Sequence, residues 1–203
     1  MSISEYNGGA IVAMVGKNCV AIASDKRFGI QMRTIACNTP KVYKLHDTLY
    51  VGFSGIITDM QTLYEKFKFR LNMYKLREER EMKPSVFAHL ASNLLYEKRF
   101  GPYFAEPFIA GIENGKPYIN SMDLIGALGE EKEFVVGGTC QEELYGTCES
   151  MYKPDLEPED LFETISQALL SSVDRDCLSG WGAVVYIITP EETIVRHLKA
   201  RMD

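Results

Sequence analysis

No apolar run in this sequence approaches the ~18 residues that a bilayer-spanning helix requires, so a transmembrane segment is not expected. The first apolar run, Ala10–Val15, is too short for a secretory signal and follows Glu5, Asn7, Gly8 and Gly9. The chain is therefore expected in the cytoplasm and nucleus. Histidine is scarce, with three isolated copies, and no C-x-x-C, H-E-x-x-H or G-x-x-x-x-G-K-[ST] pattern occurs, so no zinc site and no cofactor are expected. The five cysteines (Cys19, Cys37, Cys140, Cys148, Cys177) are odd in number and lack paired spacing, which fits free thiols rather than a disulfide framework. Basic residues are in deficit, 22 against 28 acidic ones, and the net charge of -6 argues against nucleic acid or an anionic membrane as partner. The densest charged stretch, Lys75 to Lys83, mixes both signs and reads as a solvated helix end. Gly52-Phe53-Ser54-Gly55 is not a full nucleophile elbow, because Ile56 stands where the last glycine belongs.

What is present suits one domain spanning residues 1–203, large enough to bury roughly two-thirds of its unfolded surface. Ala10–Val15 and Cys19–Ser24 read as strands joined by a glycine-containing hairpin loop. Thr34–Ala36, Val42–Leu45 and Leu49–Phe53 read as further strands. A long helix is predicted after Gly55, with Ile56, Met60, Leu63, Phe67, Leu71 and Tyr74 recurring every three or four positions. A second follows Pro84, with Val86, Phe87, Leu90, Ala91, Leu94 and Leu95 on one face; proline suits a first turn, where its missing N–H costs nothing. Strands return at Pro107–Gly111, Lys116–Ser121 and Phe134–Val136. A third helix is expected from Cys140 to Tyr152 and a fourth from Pro158, with Glu159 and Asp160 at its positive end. Gly182–Ile188 and Thr193–His197 close the chain as a hairpin. Short loops between neighbouring strands imply antiparallel sheets, and helix pairs between strand blocks imply covering layers: an α+β fold with helices on sheets.

Asp25 and Lys41 stand sixteen positions apart, and sixteen residues before Asp25 stands Gly9, preceded by Gly8. With Asp176-Cys177-Leu178-Ser179-Gly180 near the other end, this spacing resembles the proteasome β-subunit family. In that family an N-terminal threonine follows a glycine and supplies both nucleophile and base. Tyr6-Asn7-Gly8-Gly9, Ser24 to Gly29, Leu94 to Phe104, Asp123-Leu124-Ile125-Gly126, Leu161 to Thr164 and Leu198 to Asp203 carry the resemblance over essentially the whole chain. It implies a four-layer α-β-β-α sandwich of two antiparallel sheets, the N-terminal nucleophile hydrolase fold. In such a site the hydroxyl gives its proton to its own α-amine while a nearby lysine lowers the local pKa values. The hydroxyl must also attack the preceding glycine carbonyl to free that amine. Gly9 has no side chain, so catalytic residues are absent and Gly9, Asp25, Lys41, Asp176 and Ser179 form a degenerate site. Residues 1–8 are then expected to stay uncut, with residues 199–203 as a C-terminal tail.

The bland readings are structural: Asp25 and Lys41 as a buried pair relating two strands, Asp176 and Ser179 as ties between a helix end and the Gly180 turn. Active relatives place serines around Gly137-Gly138-Thr139-Cys140, where Gly138 and Cys140 depart from the pattern. The resemblance further implies a non-catalytic place in a seven-membered β ring. Two such rings stack inside two α rings in the 20S core particle of ATP- and ubiquitin-dependent protein degradation. Partners would be other α and β subunits, including the trypsin-like β subunit, and protein substrates in the chamber. Asp123 would lend a carboxylate to that neighbour's substrate pocket, or would merely cap a turn; Ala127 stands where relatives often have cysteine. Asp203 would help coordinate a metal ion across an interface. Two other readings stand beside this one: a binding module outside any ring, and an independent amidohydrolase with an unusual nucleophile. Ser2, exposed on removal of Met1, would be that nucleophile by type, but lies about 20 Å of extended chain too early.

Overall fold

The computed structural model of the chain describes residues 2–129 and 131–202. Strands β1 (Ala10–Gly16) and β2 (Cys19–Asp25) form the hairpin read from the sequence, and both are buried on both faces. That explains their near-continuous apolar runs: Ala10, Val12 and Met14 face one apolar layer, Ile11 and Ala13 another. The ribbon β3 (Phe28–Ile30) and β4 (Arg33–Ala36) follows. Then come β5 (Val42–His46), β6 (Leu49–Gly55) and α1 (Ile57–Glu78). Helix α2 (Pro84–Tyr96) leads to β7 (Ala105–Glu113), β8 (Lys116–Ser121) and β9 (Phe134–Gly138). Helices α3 (Gln141–Met151) and α4 (Pro158–Val173) precede the closing hairpin of β10 (Ala183–Ile188) and β11 (Thr193–Leu198).

The strands assemble into a five-stranded sheet, ordered β11-β10-β2-β1-β9, and a four-stranded sheet, ordered β5-β6-β7-β8. All pairings are antiparallel. Three apolar layers hold four structural layers together. Ile11, Ile22, Phe108 and Ile119 fill the space between the sheets. Leu161, Ile165 and Leu169 of α4, with Leu144 and Cys148 of α3, cover the outer face of the first sheet. Met60, Leu63 and Phe67 of α1, with Phe87 and Ala91 of α2, cover the second. This is an α-β-β-α sandwich, the N-terminal nucleophile hydrolase fold.

Local chemistry sets the ends. Helix α1 stops where Glu79 turns left-handed (φ 56°) and its N–H returns to Lys75 O; Pro84 and Pro158 open α2 and α4 in their first turns. The α2 face differs in detail from the sequence reading: Val86 points out, and Pro84, Phe87, Ala88, Ala91, Leu94 and Leu95 are the buried residues. Glu159 does more than complement the α4 dipole, since its carboxylate takes both Arg196 Nη groups at 2.7 and 2.5 Å and ties α4 to β11. Strand β3 escaped sequence reading because three residues around Gly29 carry no usable alternation. Among the described residues, no helix is long and apolar enough to cross a membrane.

Candidate functional site

Three strands bring Gly9, Asp25 and Lys41 together. Asp25 ends β2, Lys41 sits just before β5, and Gly9 leads into β1; Asp25 and Lys41 are 0% and 1% exposed. Lys41 Nζ lies 2.5 Å from Asp25 Oδ1, which also accepts the Ala10 N–H at 2.9 Å. Asp25 Oδ2 accepts the N–H groups of Arg27 (3.2 Å) and Gly180 (3.1 Å). The carboxylate thus binds the starts and ends of three chain segments as well as the ammonium, which is how a buried charge is kept satisfied.

Gly9 has φ +147°, and a β-carbon there would stand 2.8 Å from Lys41 Nζ and 3.2 Å from its Cε. The lysine therefore occupies the volume that a side chain at position 9 would need. Gly9 is held by Thr139, whose N–H donates to Gly9 O at 2.8 Å and whose hydroxyl lies 3.5 Å from Gly9 N. That hydroxyl donates to Asp176 Oδ2 at 2.5 Å, which also takes the Ser179 hydroxyl at 2.6 Å, while Oδ1 takes the Leu178 N–H at 3.0 Å. Asp176 and Ser179 thus order the turn before Gly180, but the Gly180 N–H itself goes to Asp25. Gly138 admits no side chain: at φ +101° a β-carbon would meet Gly9 O at 2.0 Å. Cys140 is fully buried at the start of α3, and desolvation pushes its thiol up to about 12.

Sequence reasoning missed Asn7 and Arg27, which lie inside quoted segments but carry no motif of their own. Asn7 is buried; its Oδ1 accepts the Ile57 N–H at 3.1 Å, and its Nδ2 donates to Gly29 O at 2.8 Å. It thereby caps α1, whose adjacent Ile56 has no side chain able to do so. Arg27, 0% exposed, donates to Asn7 O and Leu178 O (both 3.1 Å), to Gln31 O (2.9 Å) and to Thr34 Oγ1 (3.0 Å). Gly29 lies under the guanidinium, where a β-carbon would approach within 2.3 Å of it. The Gly8–Gly9 junction is buried, and a β-carbon at Gly8 (φ +68°) would meet Leu178 O at 2.0 Å. Ahead of it, Ile3–Glu5 form one 3-10 turn in which Ser2 and Glu5 cap each other. Ser2, Ser4 and Glu5 line a cleft of ≈ 260 Å³ with Gly9, Ser54, Glu106 and Thr139. The leader is part of the cleft's wall.

Of the hydroxyls lining the cleft, Ser54 donates to Glu106 Oε2 at 2.9 Å and Thr139 to Asp176 Oδ2. Cys19 and Cys148, like Cys140, are buried, and desolvation raises their thiols to about 11 and about 12. Ser2 is engaged in the leader's own cap. Asp123 is exposed, and its Oδ1 accepts the N–H groups of Ile125 (3.0 Å) and Ala127 (2.8 Å), so it caps its turn. Among the described residues no cluster of three or more His, Cys, Asp or Glu gathers to hold a metal ion; Asp203 lies outside the described residues.

Two antiparallel sheets between helix pairs, with an aspartate–lysine pair beside Gly9 at the mouth of the hairpin, define the N-terminal nucleophile class of fold. The chain belongs to the proteasome subunit family, whose model matches residues 5–188. It is 65% identical over 204 residues to the proteasome subunit beta type-3 of Picea mariana, covering 100% of each chain. It is 63% identical to the beta type-3-A subunit of Arabidopsis thaliana, again over 100% of each, and 53% identical to the beta type-3 subunit of Saccharomyces cerevisiae, over 98% of each.

Proposed function

We propose that this chain is a non-catalytic, architectural subunit of the β ring of a 20S proteasome core. In this reading it closes the ring, walls the proteolytic chamber and leaves peptide hydrolysis to sibling subunits, within ATP- and ubiquitin-dependent protein degradation in the cytoplasm and nucleus. The observation that carries it is Gly9, whose missing side-chain volume is taken by Lys41. The full-length similarity to subunits named beta type-3 supports the place in the particle. Residues 1–203 act as one unit, with residues 1–8 uncut and residues 199–203 as a tail. The partners are α and β subunits of stacked seven-membered rings, including the trypsin-like one. Asp123 stands at that neighbour's substrate pocket. Its exposure supports this role, and the turn it caps holds the carboxylate in place. Asp203 contributes to a cation site shared across an interface.

Intact mass of the chain recovered from the assembled particle tests the reading. Retention of the segment through Gly8, with no labelling by a threonine-directed electrophile, is expected. An acyl adduct on this chain at a new amino terminus would refute it. Asp123→Asn should lower the particle's cleavage after basic residues and leave its other activities unchanged.

A further inference from the structure

His46 ends β5, half-buried, and both of its ring nitrogens are engaged. Nε2 lies 2.9 Å from Met82 O, in the connector 79–83 between α1 and α2. Nδ1 faces the Thr48 N–H at 3.3 Å, in the two-residue turn that joins β5 to β6. A backbone N–H only donates and a carbonyl only accepts, so these partners fix the state of the ring. Nε2 carries the proton, Nδ1 carries a lone pair, and the imidazole is neutral. Among the described residues no other hydrogen bond links the second sheet to residues 79–83.

Both ends of this bridge are anchored. Thr48 O accepts the Ile112 N–H of β7 at 2.9 Å. Met82 is 2% exposed and packs with the apolar residues of α1, α2 and the second sheet. The bridge joins two held points, so its loss loosens the turn and the connector rather than the whole fold.

Protonation is incompatible with the arrangement. A proton on Nδ1 points at the Thr48 N–H, donor against donor. Turning the ring over does not help, since an imidazolium presents N–H at both nitrogens. The charged groups acting on the ring are Asp47 of the turn, Glu81 of the connector and Lys75 of α1. Neither carboxylate is idle: Lys44 holds Asp47 at 2.8 Å, and Lys75 holds Glu81. Burial outweighs the opposing pulls of Met82 O, Glu81 and Asp47 and keeps the imidazole's pKa below its ordinary value. With the folded-state value depressed, the stabilisation is complete above the ordinary value of about 6.5. It is lost as pH falls from there through the folded-state value.

We infer that His46 is a proton-operated latch: the neutral imidazole fastens the β5–β6 turn to the α1–α2 connector, and the imidazolium lets both go. The latch is a property of the chain itself and stands apart from the ring-subunit reading. Nuclear magnetic resonance on the isotopically labelled full chain tests it, between about pH 7.5 and about pH 5. The ring nitrogens should report the Nε2–H tautomer at the upper end and a titration midpoint below about 6.5. Across that midpoint, exchange of the Thr48 N–H, corrected for its intrinsic pH dependence, should rise about threefold or more. Order parameters of residues 80–83 should fall while those of residues 60–67 hold. His46→Gln keeps a donor for Met82 O and an acceptor for Thr48 without a titrating group, and should abolish the acid response. Should that variant lose its fold, the wild-type titration alone decides. An Nδ1–H tautomer, a midpoint at or above the ordinary value, or exchange at Thr48 unchanged across the midpoint overturns the latch. So does the same acid response in His46→Gln, or loosening spread equally through residues 60–67.

Discussion

A β-carbon added at Gly9 would stand 2.8 Å from an ammonium that Asp25 already holds at 2.5 Å, on a backbone with φ +147°. Either obstacle alone hinders a side chain at position 9; together they predict that adding a hydroxyl there will not create chemistry. Gly9→Thr is expected to keep residues 1–8, read by intact mass, and to lose about 1–3 kcal/mol of stability in a denaturant melt. Appearance of a new amino terminus at position 9 would show instead that Lys41 yields. Residue identity alone shows that position 9 carries no side chain. That the vacated volume belongs to Lys41 depended on three segments meeting.

At the scale of elements, the leader, α1 and the β3–β4 ribbon share one set of bonds through Asn7 and Arg27. Helix α1 begins at Ile57 with an N-terminal N–H that only a residue fifty positions earlier satisfies. Asn7→Ala should cost about 1–2 kcal/mol and speed hydrogen exchange in the first turn of α1; unchanged exchange would show that the cap is dispensable. The helices and most strands were legible because their apolar periods are local: Met60, Leu63, Phe67 and Leu71 recur on one helix face wherever the helix packs. The ribbon strand β3 and the Asn7 cap were not, since each exists only through a partner distant in sequence.

For the whole molecule, Asp25 is the knot that joins the first sheet, the segment before β5 and the Gly180 turn. Asp25→Ala leaves the Lys41 charge buried without its partner and three N–H groups without acceptors, so a loss of about 3–5 kcal/mol and failure to assemble are expected. Lys41→Met should be milder, because the aspartate keeps its three backbone donors. Equal losses in denaturant melts would mean that the ion pair, not the backbone bonds, dominates.

Composition and periodicity sufficed for the layered α+β fold, and residue type alone for the lack of a side chain at position 9, because both are properties of residue type and local order. That Lys41 fills the space beside Gly9, and how residues 2–8 are woven into the same region, were decided by tertiary structure. Those are contacts between segments tens to more than a hundred residues apart, and no local pattern encodes a distance across the core.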